Sequence, residues 1–253
     1  MPIDLNSELN AEFIRPDWPA PARVRSASTT RAGGVSTGPY SSLNLGEHVG
    51  DAHAAVQENR HRVGEALNLQ QAPRWLRQVH RTNVARLDGS AVTEPADAAV
   101  TARAGEVCVI MTADCLPVLL CDKSGTVVAA AHCGWRSLSA GVLENTVKAM
   151  WVEPGAIMAW LGPAIGPEAY EVGDDVMQAF VDQDVHATAA FRHKPNGKWL
   201  CDLYVLARMR LAALGVREIY GGGFCTLTDK DRFFSYRRDG ECGRMGTLIW
   251  LTS

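Results

Sequence analysis

At the usual ~100–200 residues per domain, a chain of 253 residues makes one large domain or two small ones, with ample length for a buried core. Hydrophobic residues at 47% and charged residues at 21% exclude disorder, collagen-like repeats and coiled coil. A formal charge of -3, from 25 Lys plus Arg against 28 Asp plus Glu, argues against a polymeric nucleic-acid partner.

No internal repeat, low-complexity tract or long Pro/Gly/Ser linker divides the chain. It reads as a single domain over 1–253, with an extended N-terminal segment at 1–22 and a catalytic core at 23–253. A short strand at 23–28 leads into the loop 30–40, and Asp51 is placed to cap a helix. In that helix Ala52, Ala55, Val56, Val63, Ala66 and Leu67 keep close to the 3.6-residue period. Short β-type runs follow at 74–80, 84–87, 98–101, 107–112, 116–121 and 126–131. Helical patterns at 138–150, 172–181 and 203–214 then alternate with strands at 157–161, 216–220 and 248–251. The fold class is α+β (mixed α/β), with a mixed sheet in the middle of the chain.

No apolar run approaches the ~18 residues that span a bilayer, and the N-terminus lacks the basic start and apolar stretch of a signal peptide, so no membrane partner is expected. The expected compartment is the cytoplasm, where the seven cysteines, without a C-x-x-C pair, stay reduced.

The most informative stretch runs from Met111 to Trp135 and reads as a hairpin. With Asp122-Lys123-Ser124-Gly125 as its turn, Cys115 and His132 are direct cross-strand partners, their Cβ atoms roughly 4.5–5.5 Å apart. That separation suits two ligands of one metal. Pro117 weakens the register, because proline in a strand favours an edge or a bulge. The plain alternative is a core cysteine and a hydrogen-bonded strand-end histidine. Asp114 and Arg136 beside the pair make a concentration of reactive groups that packing does not require. His80, at the end of Trp75-Leu76-Arg77-Gln78-Val79, is the natural third imidazole, or else a surface histidine. Two histidines and one cysteine leave a fourth position open, as in catalytic rather than structural zinc.

Other constellations are weaker. The loop Arg31 to Gly38 offers paired glycines, hydroxyls and an arginine suited to cradling phosphate, and its G-x-S-x-G lacks the helix that a serine elbow needs. Arg136 stands near the start of a helix, where it and the helix N-terminus suit an anion. Phe233-Phe234-Ser235-Tyr236-Arg237-Arg238-Asp239 combines stacking surfaces with cations and is suited to closing over a heteroaromatic ring, although packing of Phe233 and Tyr236 into the core is the commoner outcome. Zincin, P-loop, Rossmann and cytidine-deaminase motifs are all missing.

At R-A-G-G-V-S, S-L-N-L-G, Q-V-H, T-A-D-C-L-P-V, A-H-C-G-W-R, L-G-P-A-I-G-P and F-F-S-Y-R-R-D, the sequence closely resembles one family across about 24–251. These are the bacterial purine nucleoside phosphorylases formerly called multicopper polyphenol oxidases or laccase-domain proteins, also named peptidoglycan editing factor. The resemblance implies one domain of layered α/β/β/α type with mixed sheets, and zinc ligands at His80, Cys115 and His132. It also implies phosphorolysis of adenosine, inosine and methylthioadenosine, with adenosine deaminase activity. Where family members often carry alanine, this chain has Cys133, whose place beside a ligand in a strand turns it away from the metal. His2Cys is also the blue-copper ligand set, so Cu2+ loading fits. The chain has seven histidines and no H-x-H for a second copper cluster, so oxidase activity is expected to be weak or metal-dependent. The peptidoglycan name implies a role in editing wall precursors that no residue here shows.

On that basis the expected partners are a purine nucleoside and phosphate, the chain acting as a monomer. Arg31 and Arg136 are expected to hold phosphate or ribose hydroxyls, and Asn44 to hydrogen-bond the substrate. Asp114 is the candidate proton-transfer group beside Cys115 and His132, with a turn or ligand-orienting role as its alternative. The rival is a metal-free cysteine hydrolase with Cys115 as nucleophile and His132 as base, and a third reading is a non-enzymatic binding or redox scaffold.

Overall fold

The structure is a computed structural model that describes residues 12–89 and 91–253. In chain order, Phe13–Ile14 (β1) and Val24–Thr29 (β2) precede the helix His53–Ala66 (α1). Then come Val84–Arg86 (β3), Ala98–Thr101 (β4), Val107–Thr112 (β5), Leu116–Asp122 (β6) and Val128–Cys133 (β7). Trp135–Ser139 (α2), Val142–Met150 (α3), Ile157–Leu161 (β8), Glu171–Val172 (β9) and Asp174–Val181 (α4) follow. The chain closes with Phe191–His193 (β10), Trp199–Cys201 (β11), Leu203–Ala213 (α5), Glu218–Gly221 (β12), Tyr236–Asp239 (α6) and Met245–Leu251 (β13).

Two mixed or antiparallel sheets face each other. One has the order β1-β2-β13-β5, the other β12-β8-β6-β7-β4-β3, and β10-β11-β9 form a small third sheet. Every residue of β5, β6, β7 and β13 is buried, which explains their continuous apolar runs in place of strict alternation. Between the sheets, Cys108, Ile110 and Ile249 pack on Leu119, Val128 and Ala130. On the far side of the six-stranded sheet, Val118, Leu120, Ala129 and Ala131 meet Leu143 and Val147 of α3 and Leu206 of α5. On the far side of the other sheet, Val63 of α1 meets Ala27, Val109 and Leu248. The architecture is therefore the layered α/β/β/α arrangement expected from the resemblance.

Local departures have local causes. The helix expected at 138–150 is two helices, α2 and α3, because Gly141 takes φ 99° between them. Asp51 does not cap α1, since its carboxylate accepts hydrogen bonds from Ser36 Oγ and Asn44 Nδ2 instead. The run 74–80 is no strand apart from a bridge at Arg74 to Cys108. There the Gln78 side chain takes the place of a ladder partner, bonding both the Met111 carbonyl (2.9 Å) and its N–H (2.8 Å). Of the extended N-terminal segment expected at 1–22, residues 1–11 lie outside the described residues, and Phe13–Ile14 pair antiparallel with β2.

Candidate metal centre

The β6–β7 hairpin exists, with a register two residues from the expected one. Pro117, not Cys115, faces His132, and Leu116 faces Cys133. The Asp122 carboxylate causes the shift by accepting the N–H groups of Thr126 (2.6 Å) and Val127 (2.9 Å), which draws the turn past Gly125. A shift of two keeps the side-chain parity, so Cys115 and His132 remain on one face. Pro117 sits in a central strand, not at an edge. It is near the strand end, where its carbonyl accepts from Gly162 and no N–H is required of it.

His80 arrives from the irregular loop before β3, and its Nε2 lies 3.9 Å from Cys115 Sγ. The two imidazoles stand edge to face, centroids 4.7 Å apart at 73°. One donor atom from each of His80, Cys115 and His132 lies within 4.8 Å of the others. Around a tetrahedral zinc, bond lengths of ~2.0–2.3 Å set donor separations of about 3.3–3.7 Å, so these side chains fit an ion after a small inward movement. His132 is buried, Cys115 half-buried and His80 exposed, so the trio opens towards solvent on the His80 side.

Asp97 holds this arrangement. It is fully buried at the start of β4, and its Oδ1 lies 2.8 Å from His132 Nδ1. The same carboxylate accepts the backbone N–H groups of Val79 (3.1 Å), His80 (2.9 Å) and Arg81 (2.7 Å), clasping the loop in which His80 takes φ 57°. Engaging Nδ1 leaves Nε2 of His132 for an ion, the arrangement by which carboxylates orient ligand imidazoles. Sequence reasoning missed Asp97, and its only local signal is an acid directly before an apolar strand.

Gly134 is required for a different reason. A Cβ there would lie 2.9 Å from His80 Cδ2 and 3.0 Å from Cys115 Sγ, so a side chain would press on two of the three donors. Cys133, with its neighbours reversed in the strand, lies fully buried in the core on the helix side, away from the trio as expected.

Burial pushes the Cys115 thiol up, but His132 and His80 outweigh it and bring it down to about 6. Burial likewise pushes His132 down, and Cys115 and Asp97 outweigh that and raise it to about 9. Asp97 itself is held below the usual carboxylate range: burial raises it, and His132 with the N–H groups of Arg81 and Val79 lowers it further. Without an ion, both shifts favour a thiolate facing an imidazolium.

The other expected site residues divide. Asp114 takes φ 90° beside Cys115, its Oδ1 accepting from Thr226 Oγ1 (2.6 Å) and its Oδ2 from Arg237 N–H (2.7 Å). It ties the C-terminal loop to the centre and makes no hydrogen bond to the three donors. Arg136 lies exposed in α2, two residues beyond Gly134, its guanidinium stacked 4.4 Å from the Trp135 ring centroid. Asn44, expected to bind substrate, is fully buried and its amide is saturated. Nδ2 donates to Gly46 O and Asp51, and Oδ1 accepts from Gly46 N and Arg244 N, which leaves nothing for a substrate. Arg31 spends three N–H groups on Ser41 O and Lys230 O and stacks on Phe234. It lines a cleft with Ser41, Lys230, Arg238 and Asp239, and none of the three donor residues lines that cleft. Phe233 and Phe234 are core residues, whereas Tyr236, whose packing into the core was the commoner expectation, is 60% exposed.

Fold and centre together define a four-layer α/β/β/α protein with a His2Cys cluster at the mouth of its central hairpin. The model of the family described as multi-copper polyphenol oxidoreductase laccase matches residues 25–252, and the chain belongs to that family. It is 54% identical over 240 residues to the purine nucleoside phosphorylase PA4543 of Pseudomonas aeruginosa, covering 94% of this chain and 98% of that protein. It is 53% identical to the purine nucleoside phosphorylase YfiH of Escherichia coli, covering 95% and 99%. The crystal structure of Neisseria meningitidis protein NMB0706 superposes with a TM-score of 0.91 at 51% identity, covering 95% of this chain and 99% of that one.

Proposed function

We propose that this protein is a metal-dependent purine nucleoside phosphorylase acting on adenosine, inosine and methylthioadenosine, with adenosine deaminase activity at the same centre. The observation that carries this reading is the convergence of His80, Cys115 and His132 under one orienting carboxylate, Asp97, in a chain whose relatives bear the phosphorylase name. Zinc is the proposed ion, with Cu2+ as the alternative that the same donors accept. When bound, it supplies a Lewis acid that polarises an oxygen or nitrogen of the substrate.

The residues of the chain do the rest. Asp97 fixes the tautomer of His132 and the conformation of the His80 loop, so two donors keep their places through turnover. The Arg136 guanidinium, with no hydrogen bond or ion pair to the described residues, holds a phosphate oxygen or a ribose hydroxyl. Cleavage of the glycosidic bond builds positive charge on the ribose, and a phosphate dianion held beside it stabilises that charge before forming the new bond at C1. Asp114 serves this site by accepting from Thr226 Oγ1 and Arg237 N–H, and each of its oxygens keeps a second lone pair for a proton-transfer role.

Cys115, His132 and Asp97 also resemble a cysteine-hydrolase triad, the rival reading. His80 favours the metal: a nucleophile and its base need no second imidazole on the sulfur, whereas an ion does. The substrates are small molecules, and we propose a cytoplasmic monomer without nucleic-acid or membrane partners. No helix among the described residues is long and apolar enough to cross a membrane. We further propose a copper-dependent polyphenol oxidase side activity of the same donors, and the family resemblance implies a role in editing peptidoglycan precursors.

The test is metal content after purification without added metal, together with purine release from adenosine with and without phosphate, for wild type and Cys115→Ala. One equivalent of zinc and phosphate-dependent release, both lost in the variant, are expected. Metal-free protein that still turns over substrate overturns the proposal in favour of the hydrolase.

A further inference from the structure

Tyr170 and Arg237 come from segments far apart in sequence and meet beside the centre. Both are tied to Asp114, the neighbour of Cys115. The Asp114 carbonyl accepts from Ile165 N–H (2.9 Å), which anchors the turn that ends in Tyr170. The Asp114 carboxylate accepts from the backbone N–H of Arg237. The Arg237 guanidinium lies 5.3 Å from the Tyr170 ring centroid, and its Nη1 donates to Glu171 O at 2.7 Å, which fixes the plane of the fork.

That anchoring leaves a particular edge free. With Nη1 engaged, Nε and Nη2 have no partner among the described residues, and these two form the side of a guanidinium that grips an oxyanion with two parallel hydrogen bonds. The Tyr170 hydroxyl likewise has no hydrogen-bond partner among the described residues, although the residue is buried. Burial raises its titration far above neutrality, and the nearby Cys115 sulfur raises it further, so the phenol remains a hydrogen-bond donor. Arg31, expected with Arg136 to hold phosphate or ribose hydroxyls, spends its guanidinium on the carbonyls of Ser41 and Lys230.

We propose that Tyr170 and Arg237 form the phosphate-binding wall of the metal centre, with the free Nε/Nη2 edge of Arg237 gripping two oxygens of orthophosphate and the Tyr170 hydroxyl donating to a third. This assignment rests on the phosphorylase reading for its ligand. It divides the substrates between two walls: the guanidinium of Arg237 takes the phosphate, and the side of the centre near Arg136 and His80 is left to the nucleoside.

The experiment uses the metal-loaded full chain and inorganic phosphate as probe, with Arg237→Met, Arg237→Lys and Tyr170→Phe. Phosphate affinity is measured calorimetrically without nucleoside, and KM for phosphate and for inosine are measured separately. Arg237→Met is expected to weaken phosphate binding and raise its KM at least tenfold, with metal content and inosine KM within twofold of wild type. Arg237→Lys restores the charge without the fork and should recover only part of the loss, and Tyr170→Phe should cost about threefold to tenfold. The wall is overturned if Arg237→Met binds phosphate as wild type does, if it loses phosphate and inosine affinity alike, or if wild type binds no phosphate. Phosphate binding that depends on Arg237, in an enzyme whose purine release ignores phosphate, supports the wall and refutes the phosphorylase. Phosphate-dependent release untouched by Arg237→Met does the reverse.

Discussion

His132 and Asp97 meet across the antiparallel strands β7 and β4, Nδ1 to Oδ1 at 2.8 Å, and the carboxylate that holds His132 also accepts the backbone N–H of His80. Two of the three donors therefore depend on a single buried side chain. The β4–β7 ladder brings it there, since the His132 N–H donates to the Asp97 carbonyl at 2.7 Å and continues the pairing of Ala98 with Ala131.

Replacing Asp97 with Asn keeps the shape and removes the charge. Its amide can still accept from some of the three loop N–H groups, but it no longer stabilises positive charge on His132 or on an ion it binds. Zinc affinity, measured by competition with a chelator, should fall about 10–100-fold. Asp97→Ala also strands three partly buried N–H groups and leaves the buried His132 without its carboxylate, and should cost about 2–4 kcal/mol of unfolding free energy in denaturant titrations. An Asp97→Ala variant with wild-type stability and zinc affinity would show that the clasp does not hold the centre.

Gly134 lies at φ −65° and ψ 157°, a conformation open to any residue, so Gly134→Ala tests sterics alone. The added methyl presses on His80 and on the Cys115 sulfur. Because His80 is exposed, it can swing away without disturbing the core. The expected outcome is a drop in metal occupancy of at least tenfold with a melting temperature, in the metal-free form, within a few degrees of wild type. Full occupancy in the variant would mean that the donors close on an ion from another side.

How much of this was legible in the sequence depends on how local each relationship is. Cys115 and His132 share a hairpin, so alternation alone put them on one face, and the two-residue register error left that conclusion standing. Asp97 and His132 are 35 positions apart, in strands whose pairing no local pattern announces. The same limit misled the reading of Asn44. As the asparagine of S-L-N-L in the family resemblance, Asn44 is expected to bind substrate, and only the tertiary structure shows Asp51, Gly46 and Arg244 consuming its amide.

Asn44 therefore makes a stability prediction in place of a binding one. Asn44→Ala removes an amide that joins the 44–51 loop to the C-terminal segment at Arg244 and leaves the N–H groups of Gly46 and Arg244 without partners. A loss of about 2–4 kcal/mol is expected in chemical denaturation. In the folded fraction the inosine KM should stay within twofold of wild type. A large rise in KM at unchanged stability would return Asn44 to the substrate site.

Metal binding should carry a proton signature set by the pair at the centre. Cys115, brought down to about 6, is already a thiolate at pH 7.5 and has no proton to release. His132, raised to about 9, holds its proton at that pH and must lose it to donate Nε2 to an ion. Zinc titrations in buffers of different ionisation enthalpy should therefore report about one proton released per ion near pH 7.5, fading as pH rises through about 9. Apparent affinity should rise with pH over the same interval, by up to about tenfold per pH unit, because fewer His132 protons compete with the ion. Asp97→Asn removes one of the influences that raise His132, so the release should fade at lower pH in that variant. Zero release at pH 7.5 in wild type would mean that His132 is neutral before the ion arrives, and the thiolate–imidazolium pair would have to be abandoned.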